Sequence, residues 1–390
     1  MLRRQCFPLA LAPLALAQSE SRLLRIRSYI DAQVKDGPFP GIYAALQHRG
    51  QLAFSHSAGF SDLEAGTPMS DDTIFRMHSM TKAIASAALM SLYEEGKFLL
   101  DEPVAKYIPG FENTKVLSVE SDPESKTVDL KRPITIHHLA THTSGLNNQK
   151  AYGQSKIFAG TLGEMAAKLP AVPLSHQPGE AWRYGQSIDA IGRLVEVISG
   201  VSFDRFLAER FFAPLQMRDT GFFVPTAKVK RLAVTYTLND GNRLVRQALP
   251  EPDRKPTYFS GGGGLYGTAV DFLRFYQMLA NGGSLDGAQI LSTATVDFMF
   301  RNHVPAHLFP AGGPNGRVGY GFGIGGAVLR DAAEAETLSI DGEYTWGGAA
   351  GTYFWIDRKT QLVGIWCVQR PPFTQPPSKR FKVLAYQALT

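Results

Sequence analysis

Cysteine is nearly absent from this chain. Two of its 390 residues are Cys, at positions 6 and 367. Cys6 lies in an apolar N-terminal stretch, and Cys367 in the strand-like run Ile365-Trp366-Cys367-Val368. That scarcity excludes a disulfide framework and a cysteine-based metal site. Cys367 reads as a small buried hydrophobe. A dominant charge is also missing. The formal net charge is +5, and Lys and Arg are scattered singly or in pairs. With no basic stripe interleaved with aromatics, the pattern argues against nucleic acid as a partner. Long hydrophobic runs are lacking too. The N-terminal stretch, residues 6–16, is too short to span a bilayer, so no transmembrane segment is expected. There is no internal repeat.

What is present is the composition of a globular protein, 44% hydrophobic and 19% charged. The length suits two domains or one large one. The chain opens with Met1-Leu2-Arg3-Arg4, continues through the short apolar stretch, and reaches Ala15-Leu16-Ala17 before Gln18. A charged start, a short apolar core and an A-x-A site predict a signal peptide over residues 1–17, cleaved after Ala17. The expected location is periplasmic or secreted.

Apolar periodicity predicts helices over residues 21–34, from near Ser79 to Gly96, from a capping Ser187 to Gly200, from Ser202, from a capping Thr268, and over 378–389. Two apolar runs around Arg49-Gly50 predict a hairpin over residues 41–54. Residues 320–324, 352–356 and 362–368 read as strands. Residues 113–132 and the proline-rich 371–377 read as loops. A helix and strands come first, helices in the middle, and strands and a helix last. That order predicts an α/β (α+β) fold, with a sheet domain from residues 18–105 and 250–390 and a mainly helical domain, 106–249, inserted between.

Ser79-Met80-Thr81-Lys82 carries the chemistry. A serine hydroxyl is a poor nucleophile at neutral pH without a base beside it. Three residues along a helix is about one turn, so the two side chains share a face. The bland alternative is an N-cap serine with a surface lysine. The helix that follows is almost free of charge, however, and burying an ammonium is costly unless it is paired or functional. Tyr184, in Arg183-Tyr184-Gly185-Gln186, suits a second proton carrier beside cationic neighbours. Trp346-Gly347-Gly348-Ala349 precedes a predicted strand, and its glycines let backbone approach a ligand closely.

These three patches resemble the motif set of the class C β-lactamase and penicillin-binding-protein superfamily. There Ser-x-x-Lys is followed by Tyr-x-Asn and then by a triplet such as Lys-Thr-Gly. The chain looks most like the esterase branch, the family VIII carboxylesterases, where the triplet is often Trp-Gly-Gly. Residues 135–146, 214–221, 260–264 and 319–323 resemble it too, and the likeness runs from about residue 22 to the end. The resemblance implies a β-lactamase/transpeptidase-like fold, an antiparallel sheet flanked by helices plus a helical domain, with the site between them. It implies Ser79 as nucleophile, Lys82 as its base and Tyr184 as second acid/base. The oxyanion hole would be the N–H groups of Ser79 and Ala349, and Gln186, Trp346, Gly347 and Gly348 would meet substrate. No metal or cofactor is implied.

Two departures matter. Gln186 stands where β-lactamases have Asn. Trp346 stands where they have Lys, which removes a cation suited to a β-lactam carboxylate; such a charge-assisted bond is worth about 1.5–3 kcal/mol. The expected substrate is therefore a small-molecule ester, short-chain and uncharged. The alternatives are a D-Ala-D-Ala peptidase or weak β-lactamase, an acyltransferase, and a penicillin-binding sensor domain that acylates and stalls. Oligomeric state is not legible.

Rival motifs fare worse. Gly262-Gly263-Gly264-Leu265-Tyr266-Gly267 fits G-x-G-x-x-G but follows no apolar strand, so it reads as a loop feeding a helix. His138 and His142 have i, i+4 spacing but lack the Glu of a zinc helix, and with His137 they read as structural. No G-x-S-x-G occurs, which excludes the nucleophile elbow of α/β-hydrolases.

Overall fold

The computed structural model describes residues 11–122, 124–148, 150, 152–153, 157–371 and 378–389, with the backbone alone for 11–19, 311 and 378. The expected signal peptide falls partly outside the described residues, at 1–10, and so does the proline-rich loop at 372–377. Helix α1 (Leu11–Lys35) begins earlier than the periodicity predicts. Among the described residues no helix is long and apolar enough to cross a membrane.

Strands β1 (Gly41–His48) and β2 (Gln51–Asp62) form the expected hairpin. Arg49 and Gly50 both have positive φ, 52° and 76°. A two-residue turn of that hand matches the twist of the strands it joins. The sheet continues with β3 (Thr67–Pro68) and, far along the chain, β4 (Tyr320–Phe322), β5 (Ala327–Leu329), β6 (Tyr344–Gly347), β7 (Tyr353–Asp357) and β8 (Leu362–Cys367). Its order is β4-β5-β6-β7-β8-β1-β2-β3, with antiparallel neighbours throughout. The β1–β8 ladder, with Ala44 opposite Trp366, joins the two ends of the chain.

The remaining helices are α2 (Thr81–Glu94), α3 (Ile136–Ala140), α4 (Leu162–Lys168), α5 (Ser187–Ser199), α6 (Phe203–Leu207), α7 (Ala269–Ala280), α8 (Thr293–Met299) and α9 (Ser378–Leu389). Both faces of the central strands are covered, which is why β1 and β8 read as nearly continuous apolar runs rather than as alternation. Ile42, Ala44, Leu46, Trp355 and Trp366 pack with Ile26 and Ile30 of α1 and Phe381 and Ala385 of α9. On the other face Tyr43, Ala45, Phe354 and Ile365 join the larger core built on α2, α5 and α7.

Thr268 caps α7 as the sequence predicts, its side chain accepting from Asp271 N–H. Ser187 does not cap α5. Gln186 holds that position, and Ser187 Oγ lies 2.9 Å from Ser144 Oγ instead. Trp346 and Gly347 end a strand of their own, β6, and the patch precedes β7 as expected. Neither β5 nor β6 was predicted, because three or four residues give too little pattern to separate a strand from a loop. In the polar 113–132 segment, Val116–Leu117 pairs with Thr127–Val128 in a minimal ribbon.

Candidate active site

Helix α2 is buried from Thr81 to Leu92. Ser79 sits just ahead of it, in a one-turn helix spanning His78–Met80. The N-cap of α2 is Met80, and no side chain caps it. The Ser79 hydroxyl is therefore free of the capping duty that was the bland alternative. Two side chains converge on it: Lys82 Nζ at 3.1 Å and Tyr184 Oη at 2.7 Å. Lys82 is 4% exposed. An ammonium so buried needs oxygen partners, and its second one is the Gly262 carbonyl. Its Nζ also stands 4.6 Å from the centroid of the Tyr184 ring.

Tyr184 is held in a non-helical segment by backbone bonds on either side, Arg183 N–H to His142 O and Gln186 N–H to Leu146 O, both 2.9 Å. The cation beside it is Lys82. Arg183 turns outward to Glu120, with Nη2 2.8 Å from Oε2. Trp346 Nε1 donates to Tyr184 Oη at 3.3 Å, and the two rings lie 5.3 Å apart. The aromatic wall expected of Trp346 is thus also hydrogen-bonded to the proton carrier.

Gly348 fixes how β6 meets the serine turn. A Cβ there would fall 2.4 Å from the Met77 carbonyl oxygen and 2.2 Å from Thr352 Oγ1. Only glycine lets the strand end press against the turn bearing Ser79. Ala349 follows, exposed, at the turn beyond β6. Among the described residues, the N–H groups of Ser79 and Ala349 donate to no protein acceptor. Gln186, at the start of α5, is partly buried.

Three contributions were missed by sequence reasoning. The glycine run 261–264 is a bracket rather than a loose loop. Gly262 N–H and Ser260 Oγ donate to Asp189 Oδ1 at 3.1 and 2.6 Å, which aims the Gly262 carbonyl at Lys82. Asp189, 6% exposed on α5, is therefore a support of the lysine. The third is His142, fully buried with φ of 57° and its ring 4.8 Å from that of Tyr184. Neither of its ring nitrogens has a hydrogen-bond partner. Burial, then the Lys82 charge, hold its pKa well below the usual histidine range, so the imidazole stays neutral. The signal for His142 and the glycine bracket lay in the 135–146 and 260–264 patches, but neither has a local pattern that states a partner, and Asp189 lies outside both.

The histidines have separate surroundings. His138 completes a capping box with Thr135 at α3, and the His137 ring lies tilted against that of His303 with centroids 5.5 Å apart. Burial pushes both down to about 4. Among the described residues no cluster of three or more His, Cys, Asp or Glu side chains is poised for a metal.

A family model described as Beta-lactamase matches residues 26–389. The chain belongs to the β-lactamase family. Esterase EstB of Burkholderia gladioli is 31% identical over 372 residues, covering 87% of this chain and 88% of that protein. Lovastatin esterase of Penicillium rubens is 29% identical over 373 residues, covering 87% and 90%. Among solved structures, EstCE1, described as a hydrolase with promiscuous acyltransferase activity, superposes with a TM-score of 0.81 at 26% identity, covering 95% of this chain and 99% of its own. This member of the family therefore has the expected fold, an antiparallel sheet flanked by helices.

Proposed function

We propose that this serine ester hydrolase of the β-lactamase type works through an acyl-enzyme on Ser79. One observation carries the reading: Ser79 Oγ, free of capping, lies within hydrogen-bond reach of both Lys82 Nζ and Tyr184 Oη. In the first step the Lys82–Tyr184 pair, in the form that has given up one proton (neutral amine or phenolate), takes the proton of Ser79 Oγ as that oxygen attacks the ester carbonyl carbon. The carbonyl oxygen takes up the electron pair and is stabilised by the N–H groups of Ser79 and Ala349. As the tetrahedral centre collapses, the bond to the alcohol oxygen breaks and Tyr184 Oη supplies the proton that oxygen needs. Water then attacks the acyl carbon, the same pair accepts its proton, and Ser79 Oγ leaves with one. Gln186, Trp346, Gly347 and Gly348 border the bound ester. The site lies where the helical insertion meets the sheet.

The preferred ester is short-chain and uncharged, because Trp346 puts an indole where a lysine would hold a β-lactam carboxylate. A panel of 4-nitrophenyl esters of increasing chain length, run beside nitrocefin, tests this. The expected result is kcat/KM highest for the acetyl and butyryl esters, with nitrocefin at least a hundredfold lower. Nitrocefin turnover equal to ester turnover favours the lactamase or peptidase reading instead. Acyl transfer to an added alcohol is a second reading, favoured by the likeness to EstCE1.

The location proposed is the periplasm or the medium, on the strength of the N-terminal 17 residues. Intact-mass analysis of exported protein should show a chain beginning at Gln18. An exported form that retains Met1 contradicts it.

A further inference from the structure

The turn over residues 141–146 is tied to α3 on one side and to the Tyr184 segment on the other. His142 N–H donates to Leu139 O at 3.3 Å, Thr143 N–H to His138 O at 2.9 Å, and Thr141 Oγ1 to His137 O at 2.8 Å. His142 has a φ of 57°. That left-handed conformation is uncommon outside glycine, and histidine is among the residues that adopt it more readily. From it the His142 carbonyl accepts from Arg183 N–H, while the His142 ring meets that of the next residue, Tyr184, at 4.8 Å. Gly185 lets the turn close on the same segment, since a Cβ there would fall 2.1 Å from Leu146 O. The His142 ring is fully buried among Trp182, Tyr184 and Phe322, with centroids 6.1, 4.8 and 5.5 Å from its own. Neither of its nitrogens bonds a protein group, so the ring acts on Tyr184 by packing. Burial, then the Lys82 charge, keep it neutral, so it brings no second cation beside that ammonium.

We infer that His142 is a positioning residue for the ester reaction: it fixes the phenol of Tyr184 so that Oη stays within reach of Ser79 Oγ. The inference rests on the reading of Tyr184 as proton carrier. A tyrosine side chain swings about two torsions, and proton transfer tolerates little of that motion. A misplacement of about 1 Å can cost a hundredfold in rate. Oη donates to Ser79 Oγ at 2.7 Å. The bond it accepts from the indole, at 3.3 Å, is long for a hydrogen bond and a weak restraint. The firmer restraint comes from the turn, which holds residue 183 through the His142 carbonyl, residue 184 through the His142 ring and residue 186 through the Leu146 carbonyl. One buried residue thus grips both the backbone before the proton carrier and the ring that bears its hydroxyl.

His142→Asn tests this, because asparagine adopts the same left-handed backbone but carries no ring. With 4-nitrophenyl acetate, kcat should fall about tenfold to a hundredfold while KM stays within about threefold. His142→Phe, which puts a ring back, should recover most of that loss. A double-mutant cycle supplies the readout that general damage to packing would not move. If His142 acts through Tyr184, adding His142→Asn to Tyr184→Phe should cost less than about threefold more, because the hydroxyl it positions is already gone. Thermal melting shows that each variant is folded, and His142→Gln takes the place of His142→Asn in the cycle if the latter does not fold. Equal losses in the two backgrounds overturn the inference, and so does a His142→Asn enzyme with unchanged kcat. A Tyr184→Phe enzyme near the original rate defeats the proton-carrier reading and the inference with it. A large Tyr184→Phe loss beside additive His142 losses retires His142 alone.

Discussion

Ser79→Ala should lower kcat/KM for 4-nitrophenyl acetate by about 10⁴-fold or more, the scale of losing a covalent nucleophile together with the unit that activates it. The fold should survive. Ser79 caps no helix, and alanine suits a short helical turn. What goes is the shared acceptor of Lys82 Nζ and Tyr184 Oη, a net cost to stability of about 1 kcal/mol. Thermal melting of the variant separates lost chemistry from lost structure. A 4-nitrophenyl phosphonate should add one covalent adduct to the peptide containing Ser79 in the unaltered protein and none in the variant. Ester turnover near the normal level in a folded Ser79→Ala protein sinks the assignment.

The second large effect is expected from Tyr184→Phe. It should lower kcat by about 10²–10⁴-fold, the range for removing a positioned proton carrier, with KM little changed. The substitution keeps the ring, so packing against His142 at 4.8 Å and Trp346 at 5.3 Å is retained. It deletes the one oxygen that Ser79 accepts from and Trp346 donates to. Trp346→Phe makes the useful contrast. It keeps an apolar wall and Tyr184 Oη but drops the indole N–H, so the loss should be nearer tenfold. The pH dependence of kcat should change shape in Tyr184→Phe and not in Trp346→Phe. A Tyr184→Phe enzyme within threefold of the original removes Tyr184 from the proton path.

Much of this was legible along the chain. The Arg49-Gly50 hairpin, the Thr268 cap and the helix after Ser79 each depend on residues a few positions apart, and local geometry decided them. The spacing of Ser79 and Lys82 is of the same kind: one helical turn brings hydroxyl and amine together. The misreadings have one cause. Ser187 looks like a cap because capping residues share a chemistry, yet its hydroxyl meets Ser144, 43 positions away in sequence. Gly262 looks like loop because glycine runs make loops, yet its carbonyl receives the ammonium of Lys82, 180 positions earlier.

By itself the sequence determined the family, the identity of the proposed nucleophile and its partners, and the replacement of a lysine by Trp346. These are statements about residue type and spacing, which a linear chain carries. Only the tertiary structure decided what stands around them. It placed neutral His142 against Tyr184, braced Lys82 through Gly262 and Asp189, and tied Trp346 to the tyrosine. Such contacts join segments whose separation along the chain says nothing about their distance in space. They exist because the first and last strands of the chain, β1 and β8, pair inside the eight-stranded sheet and α7 packs against it, so burial and close packing chose the neighbours.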